Sequence, residues 1–410
     1  MSRVATRRPS LNPSSRRARR MGAVALACAS IVLASCGGGD RKSYFTPGNI
    51  VSFGDENSAF ATFSSANVED GNGNPATLKG LSYAVTAIVQ AVSTCDNIVS
   101  PSLCSTTTSN TFDSGVAVTD TTRYMFNGSS SSVTAIARDG GNNTQRTTVT
   151  LYSCDTSRNW VQIVTSAYGK SFSADCSLDS RGGAVNYAVA GAKTADVIAQ
   201  INAHRGEINS KTVVTIMAGQ NDILEQYAVA VGGNEAGAIA VLQARADSMA
   251  AAIKDVIGTG AKVVLALTPD LGQTPLAVNA GTTTVLTNLV RAYNDRLYIT
   301  GLGNVSGRSL AGVNPESLTK PGTRSSSYQY TTALCDASAV RRPDGEPVDP
   351  VGPGRTDEDV ANEKLLYCNS QYYTSGADVS TAMWADSKRA GPVLHSLIGV
   401  TVYNRAREQF

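Results

Sequence analysis

Acidic side chains are the first candidates for chemistry in this sequence. The apolar run Ile50–Phe53 is typical of a buried strand, and Gly54 after it is typical of a sharp turn. A carboxylate can act as a nucleophile or a general base, as it does in glycosidases. The spacing singles out none of the four candidate acids, which are Asp55, Glu56, Asp222 and Asp386.

A serine nucleophile needs a base within hydrogen-bond distance, and the chain has only two histidines. His204 is expected on the surface of a helix, and His395 inside the final helix. His204 and His395 are therefore the two histidines that a serine nucleophile could use as a base. Two histidines and the lack of a Cys-x-x-Cys pair argue against a metal site.

Four segments, taken in order, resemble the conserved blocks of SGNH/GDSL esterases and lipases. They are Val51–Ser58, Asn186–Ala192, Met217–Asp222 and Trp384–His395. The resemblance covers most of 49–60 and 157–408. It implies hydrolysis of carboxylic esters by acyl transfer, with no metal or organic cofactor. By the same resemblance, the Gly191 backbone N–H and the Asn221 side chain hold the oxyanion, and Asp386 orients the catalytic base.

The sequence departs from this family at both reacting positions. Glu56 stands where the family has its serine nucleophile, and Arg389 stands where it has its histidine. Because those two side chains touch in the family fold, we expect Glu56 and Arg389 to form a salt bridge, with the carboxylate facing Gly191 and Asn221. The alternative is that each substitution arose separately and both groups reach solvent.

Two functions follow from these residues. The leading prediction is an esterase-type domain whose hydrolysis is weak or lost, retained for binding or for structure. The competing prediction is a working ester hydrolase with non-standard residues. These are either Ser58 with His395, which lie two and six residues past the family's nucleophile and base positions, or a carboxylate. An ester, acyl or glycan ligand is expected in either case, and no residue in the sequence distinguishes among these three classes.

The elements that position these residues alternate between strands and helices. Thr212–Met217 and Lys262–Leu267 are continuous apolar runs, as expected for parallel strands covered on both faces. Apolar residues at helical spacing lie between them, again at 286–297, and after Gly391. The pattern predicts a three-layer α/β/α sandwich with a mostly parallel central sheet, and the resemblance implies that it is of the SGNH or flavodoxin-like type. Residues from about 62 to 156 are predicted to form a β-rich insertion. The evidence is a set of segments with β-forming composition, such as Leu81–Ala91, Ser132–Ala137 and Thr147–Tyr152.

The N-terminus predicts an exported lipoprotein. Residues 1–35 hold seven arginines, no acidic residue and an apolar run too short for a comfortable membrane span. They end in Leu-Ala-Ser before Cys36, which resembles a bacterial lipobox. We therefore expect a signal peptide at 1–35, a lipid on Cys36 that anchors the chain to the membrane, a tether at 36–48 and the hydrolase-like domain at 49–410. Gly37 suggests an outer-membrane location, on the periplasmic or the surface face; an ordinary cleaved signal is the alternative.

Charge and cysteine content fit an envelope protein. Without residues 1–35 the chain keeps 28 basic and 33 acidic residues, so no basic surface argues for nucleic acid. An even number of remaining cysteines in an oxidising compartment predicts disulfides. The spacing favours the neighbouring pairs Cys95–Cys104, Cys154–Cys176 and Cys335–Cys368.

Overall fold

The fold is known from a computed structural model of the chain. It describes residues 44–70, 75–85, 89–92, 110–113, 122–127, 133–136, 148–153, 158–175, 181–320, 328–343 and 346–410. Thr46–Phe410 forms one compact unit. The predicted signal peptide, the predicted lipid site at Cys36, and Cys95, Cys104, Cys154 and Cys176 lie outside the described residues.

The strands, in chain order, fall into a central sheet and smaller sheets. They are β1 (Asn49–Gly54), β2 (Phe60–Asp70), β3 (Pro75–Ser82), β4 (Val89–Val92), β5 (Asn110–Asp113), β6 (Thr122–Asn127), β7 (Val133–Ile136), β8 (Thr148–Ser153), β9 (Ser171–Phe172), β10 (Gly183–Asn186), β11 (Thr212–Met217), β12 (Lys262–Ala266), β13 (Leu310–Val313), β14 (Gln329–Ala333) and β15 (Ala382–Trp384).

The helices cover both faces of the central sheet. They are α1 (Trp160–Ala167), α2 (Thr194–Ala203), α3 (Gln220–Val231), α4 (Glu235–Gly258), α5 (Pro275–Asn279), α6 (Thr283–Asp295), α7 (Glu316–Thr319), α8 (Asp357–Tyr367) and α9 (Pro392–Gln409). A π-helical segment, Arg296–Gly301, continues α6. In the described part of the chain, no helix combines the length and apolar composition needed to cross a bilayer.

The central sheet has six parallel strands in the order β13-β12-β11-β1-β10-β9. Val51 and Phe53 on β1 pack with the helices of one face, from α2 to α6. The other face is covered by α9, which packs against α1, β12 and β13. This arrangement confirms the predicted three-layer α/β/α sandwich. Because the strands are parallel, the segments that follow β1, β10 and β11 meet at one edge of the sheet.

The predicted β-rich region contains strands β2 to β8. Five of them form a sheet in the order β3-β2-β6-β8-β4, and β5 pairs with β7. Within the β-prone piece Leu81–Ala91, β3 ends at Ser82 and β4 begins at Val89. The chain leaves the sheet at Tyr83 so that Val85 packs into a small core with the C-terminal segment, next to Leu365 and Ala382.

A disulfide joins Cys335 to Cys368, with 6.2 Å between the two Cα atoms. This confirms one of the three predicted pairs. Cys368 directly follows α8, and Cys335 lies just after β14, which pairs with β15. The disulfide therefore holds α8 against the strands that lead to Asp386.

Candidate functional site

The turn after β1 brings Glu56 to the edge of the central sheet. A Cβ atom at Gly54 would lie 2.6 Å from the Met217 carbonyl oxygen on neighbouring β11, so only glycine fits there. The backbone N–H groups of Ser58 and Ala59 then donate to the Asp55 carbonyl at 3.0 and 2.9 Å. This single helical turn fixes the backbone of Glu56 beside the starts of the loop after β10 and of α3.

Glu56 is surrounded by hydrogen-bond donors. Its Oε2 accepts from the Gly191 backbone N–H at 3.0 Å and from Asn221 Nδ2 at 2.8 Å. Its Oε1 accepts from Gln220 Nε2 at 2.7 Å. The side chain is only 1 % exposed. The two groups expected to hold an oxyanion therefore hold a carboxylate oxygen of the chain itself.

Two local features aim the expected donors at Glu56. Gly191 has a φ of +79°, a left-handed conformation that side chains disfavour, and this turns its N–H toward the site. Asn221 lies in the first turn of α3, where its Nδ2 also donates to the Ala192 carbonyl at 3.1 Å. The second bond fixes the orientation of the Asn221 amide.

Gln220 is a site residue that the sequence reasoning missed. Its Oε1 accepts from Asn57 Nδ2 at 3.1 Å, which leaves its Nε2 to donate to Glu56. Asn57 is held in turn by Asp55, whose Oδ1 accepts from the Asn57 backbone N–H and from its Nδ2, both at 3.0 Å. The signal was the position of Gln220 inside the third block, directly before Asn221.

Arg389 reaches the site from the last block, with 1 % of its side chain exposed. Its guanidinium donates to Asp386, to Glu358, and to Asn362 Oδ1 at 2.6 Å. Its Nε lies 4.0 Å from Glu56 Oε1 and has no hydrogen-bond partner among the described residues. The expected ion pair with Glu56 is thus the longest of the ionic contacts of Arg389. The hydrogen bonds of its guanidinium go to Asp386 and to Glu358 and Asn362 on α8.

Electrostatics keep Arg389 charged. Burial by itself would lower the pKa of its guanidinium, but Asp386, Glu56 and Glu358 outweigh burial and hold that pKa above its usual range. Neither Glu358 nor Asn362 was predicted from the sequence. Both lie on α8, outside all four blocks, and no local pattern distinguishes them.

Tyr83, which follows β3, lies near enough to the site for the charges of Glu56 and Arg389 to affect its hydroxyl. Burial raises the pKa of its hydroxyl to about 12, and the negative charge of Glu56 contributes in the same direction while Arg389 opposes it. The ring packs with the apolar residues around the Cys335–Cys368 disulfide. The site is therefore covered by segments distant in sequence from the four blocks, and Tyr83 was not predicted either.

The two other candidate acids near β1 and α3 are held by neighbours. Burial raises the pKa of Asp55 well above its usual range, and the charge of Glu56 adds to this; Asp55 Oδ2 has no partner among the described residues. Asp222 accepts from the backbone N–H of Thr194 at 2.7 Å and from Arg245 at 3.0 Å. Asp222 thus anchors the start of α2.

Ser58 and His395 are not hydrogen-bonded to each other in the described structure. Ser58 Oγ accepts from the Trp160 indole N–H at 3.2 Å, and His395 Nδ1 accepts from the Trp160 backbone N–H at 3.4 Å. Both side chains are buried. Trp160, the first residue of α1, therefore engages the nucleophile and the base of the candidate pair separately.

Burial lowers the pKa of His395 to about 3. The unfolded chain, with an ordinary histidine pKa of about 6.5, then binds a proton that the folded chain does not. We expect the free energy of unfolding to fall as the pH drops from about 6.5 toward 3. His395→Asn, whose side-chain oxygen replaces Nδ1 as acceptor, should remove this part of the slope in urea unfolding measured across that range. An unchanged slope in the variant would contradict the assignment.

A groove of about 760 Å³ lies beside Gly191, lined by 186–192 and by the exposed side of α2. Val189 in this groove is 58 % exposed. Within the residues described here, no group of three histidine, cysteine or acidic side chains is arranged to hold a metal ion.

Comparisons with known proteins find one family model and several solved structures that are similar to this chain. The model of a family described as GDSL-like lipase/acylhydrolase matches residues 121–301, which include the second and third blocks. Among solved structures, the chain is similar to the lipase Lip_vut3 from a goat rumen metagenome, at 14% identity over 51% of this chain and 88% of that one, with a TM-score of 0.30. It is also similar to an extracellular lipase from Streptomyces rimosus, at 15% identity over 45% of this chain and 81% of that one, with a TM-score of 0.27. A search of curated proteins gave no significant match.

Proposed function

We propose that this chain carries an SGNH/GDSL-type esterase domain that has lost ester hydrolysis and serves in binding or as a structural part of the cell envelope. One observation carries this proposal. Glu56 Oε2 accepts hydrogen bonds from both Gly191 and Asn221, the donors that the family reaction needs for its oxyanion. Neither of these two donors is left to polarise a substrate carbonyl.

The state of the two reacting groups supports the same conclusion. A nucleophilic carboxylate must be free to approach a carbonyl carbon, whereas the oxygens of Glu56 are bound by three donors and face a guanidinium. Arg389 cannot remove a proton, because its pKa lies above its already high ordinary value. The site thus lacks both a nucleophile and a base in the family positions.

The competing function, an active hydrolase with non-standard residues, finds less support. Ser58 and His395 each bind Trp160 instead of each other, and both are buried. Among the other acids, Asp222 is engaged by Thr194 and Arg245, and Asp386 by Arg389. None of these groups combines a free reactive atom with free oxyanion donors.

Ester turnover tests the proposal. We expect the full chain, solubilised in detergent, to hydrolyse short p-nitrophenyl esters no faster than buffer does. Ser58→Ala and His395→Ala variants are the matched controls. Wild-type turnover that either variant abolishes would establish a rewired serine hydrolase and end the proposal.

We further propose that the domain is held at the outer membrane by a lipid on Cys36. The support is the lipobox-like sequence and the acid-free, arginine-rich segment before it. Cys36→Ala should move the chain from the membrane fraction to the soluble fraction of the producing cells. Unchanged membrane recovery would contradict lipid anchoring. In this location an ester, acyl or glycan ligand is the expected class, and the exposed groove beside Gly191 offers it an accessible surface.

A further inference from the structure

The donors around Glu56 form a site that is built independently of Glu56. We propose that this site is a receptor for a small monocarboxylate, and that the Glu56 side chain is its resident ligand. The inference rests on the proposed loss of hydrolysis, since a working active site would need the same donors for its oxyanion. It adds the chemical class that the site recognises.

Neighbouring hydrogen bonds fix which atoms of the receptor act as hydrogen-bond donors. Asn221 must point Nδ2 into the site because that atom also donates to the Ala192 carbonyl. Gln220 must point Nε2 into the site because its oxygen is taken by Asn57. The third donor is the backbone of Gly191. All three remain donors when the Glu56 side chain is removed, so the site accepts a ligand rich in acceptor atoms.

Arg389 makes the receptor selective for an anion. Its Nε is buried, has no hydrogen-bond partner among the described residues and lies 4.0 Å from Glu56 Oε1. A neutral ligand of the same shape would leave this positive group facing an uncharged atom. A carboxylate satisfies the donors and the charge together.

The size of the ligand follows from the side chain that it replaces. Glu56→Ala keeps Cβ and removes one methylene and the carboxylate, which are the heavy atoms of acetate. The turn that holds the Glu56 backbone is made by main-chain bonds to the Asp55 carbonyl and does not need the side chain. Because the Glu56 side chain is only 1 % exposed, the space that it leaves is enclosed, and we expect a bulkier acid such as pivalate to be excluded.

Thermal unfolding of full-length Glu56→Ala in detergent tests the receptor. We expect its Tm to lie below that of the wild type in chloride and to rise saturably with sodium acetate, because a ligand that binds only the folded state stabilises it. Acetamide and pivalate at equal concentration should have no such effect. Glu408→Ala, which removes an exposed glutamate, is the matched control and should respond to acetate no more than the wild type.

Removal of one donor provides the second readout. Asn221→Ala in the Glu56→Ala background should weaken acetate binding by about tenfold or more, because it deletes a hydrogen bond to a charged group. Glu56→Ser serves as a second background if Glu56→Ala does not unfold cooperatively. Equal shifts in all variants, or an equal response to acetamide, would overturn the proposal.

The two proposals fail in distinguishable ways. Ester turnover by the wild type would remove the proposed loss of hydrolysis, whatever acetate does. If the wild type shows no turnover and the Tm of both Glu56→Ala and Glu56→Ser fails to rise with acetate, only the carboxylate-receptor proposal is overturned.

Discussion

The double variant Glu56→Ser/Arg389→His is expected to hydrolyse p-nitrophenyl esters at least about 100-fold faster than the wild type, the usual range for adding a positioned general base. Serine at position 56 would free Gly191 and Asn221 to bind an oxyanion. A histidine at position 389 would lie three residues after Asp386. The Asp386 carboxylate already accepts hydrogen bonds from the backbone and the side chain of residue 389. The substitutions would thus restore both reacting groups beside their existing partners.

Three controls separate this gain from a general change in the protein. Each single variant should remain inactive, since a nucleophile without a base, or a base without a nucleophile, does not complete the reaction. Asn221→Ala in the double variant should lower kcat by about 10²–10³-fold, as loss of an oxyanion donor does. A folded double variant without turnover would show that the covered site excludes substrate even when its chemistry is restored.

Arg389→Met is expected to lower the free energy of unfolding by about 3 kcal/mol or more. It leaves Asp386 and Glu358 without their shared cation, and it leaves Glu56 without the nearest positive charge. Breaking a buried ion pair by removing one partner costs about 3–5 kcal/mol, and we take the lower end because Glu358 is 37 % exposed. Urea denaturation of wild type and variant gives the difference directly.

An exposed arginine provides the matched control for Arg389. Arg291 is 46 % exposed and pairs with Glu316 on the surface. Arg291→Met should cost less than about 1 kcal/mol, because solvent screens such pairs. Equal effects of the two substitutions would mean that burial of Arg389 contributes nothing to stability.

Local sequence patterns were sufficient for the central layers of the fold. The apolar run Thr212–Met217 is β11, and the run Lys262–Leu267 corresponds to β12. The helical spacing between them is α4, which ends at Gly258 as expected. These elements could be predicted because each leaves a recognisable pattern in the sequence. A parallel strand buried on both faces is a continuous apolar run, and a helix buried on one face has apolar residues at helical spacing.

The cover of the site could not be predicted in the same way. Tyr83, Glu358 and Asn362 reach Arg389 or its surroundings from segments outside the four blocks. Trp160 likewise engages Ser58 and His395 from positions about 100 and 235 residues away. Such contacts depend on how distant segments pack, and a single sequence contains no period or spacing that reports them.

The position of β1 in the sheet has a consequence for how the chain folds. β1 is made first, yet it lies between β10 and β11, and Ser52 aligns with Thr215 in a pair separated by 163 residues. Among the described strands, the earliest partner of β1 is β10, so its pairing cannot begin until residue 186 has been synthesised, and its β11 side stays open until residue 217 has been made. Non-local parallel pairing of this kind is intrinsically slow and leaves apolar strand edges exposed meanwhile. Folding of this chain should therefore be slower, and more dependent on chaperones, than its many regular helices suggest.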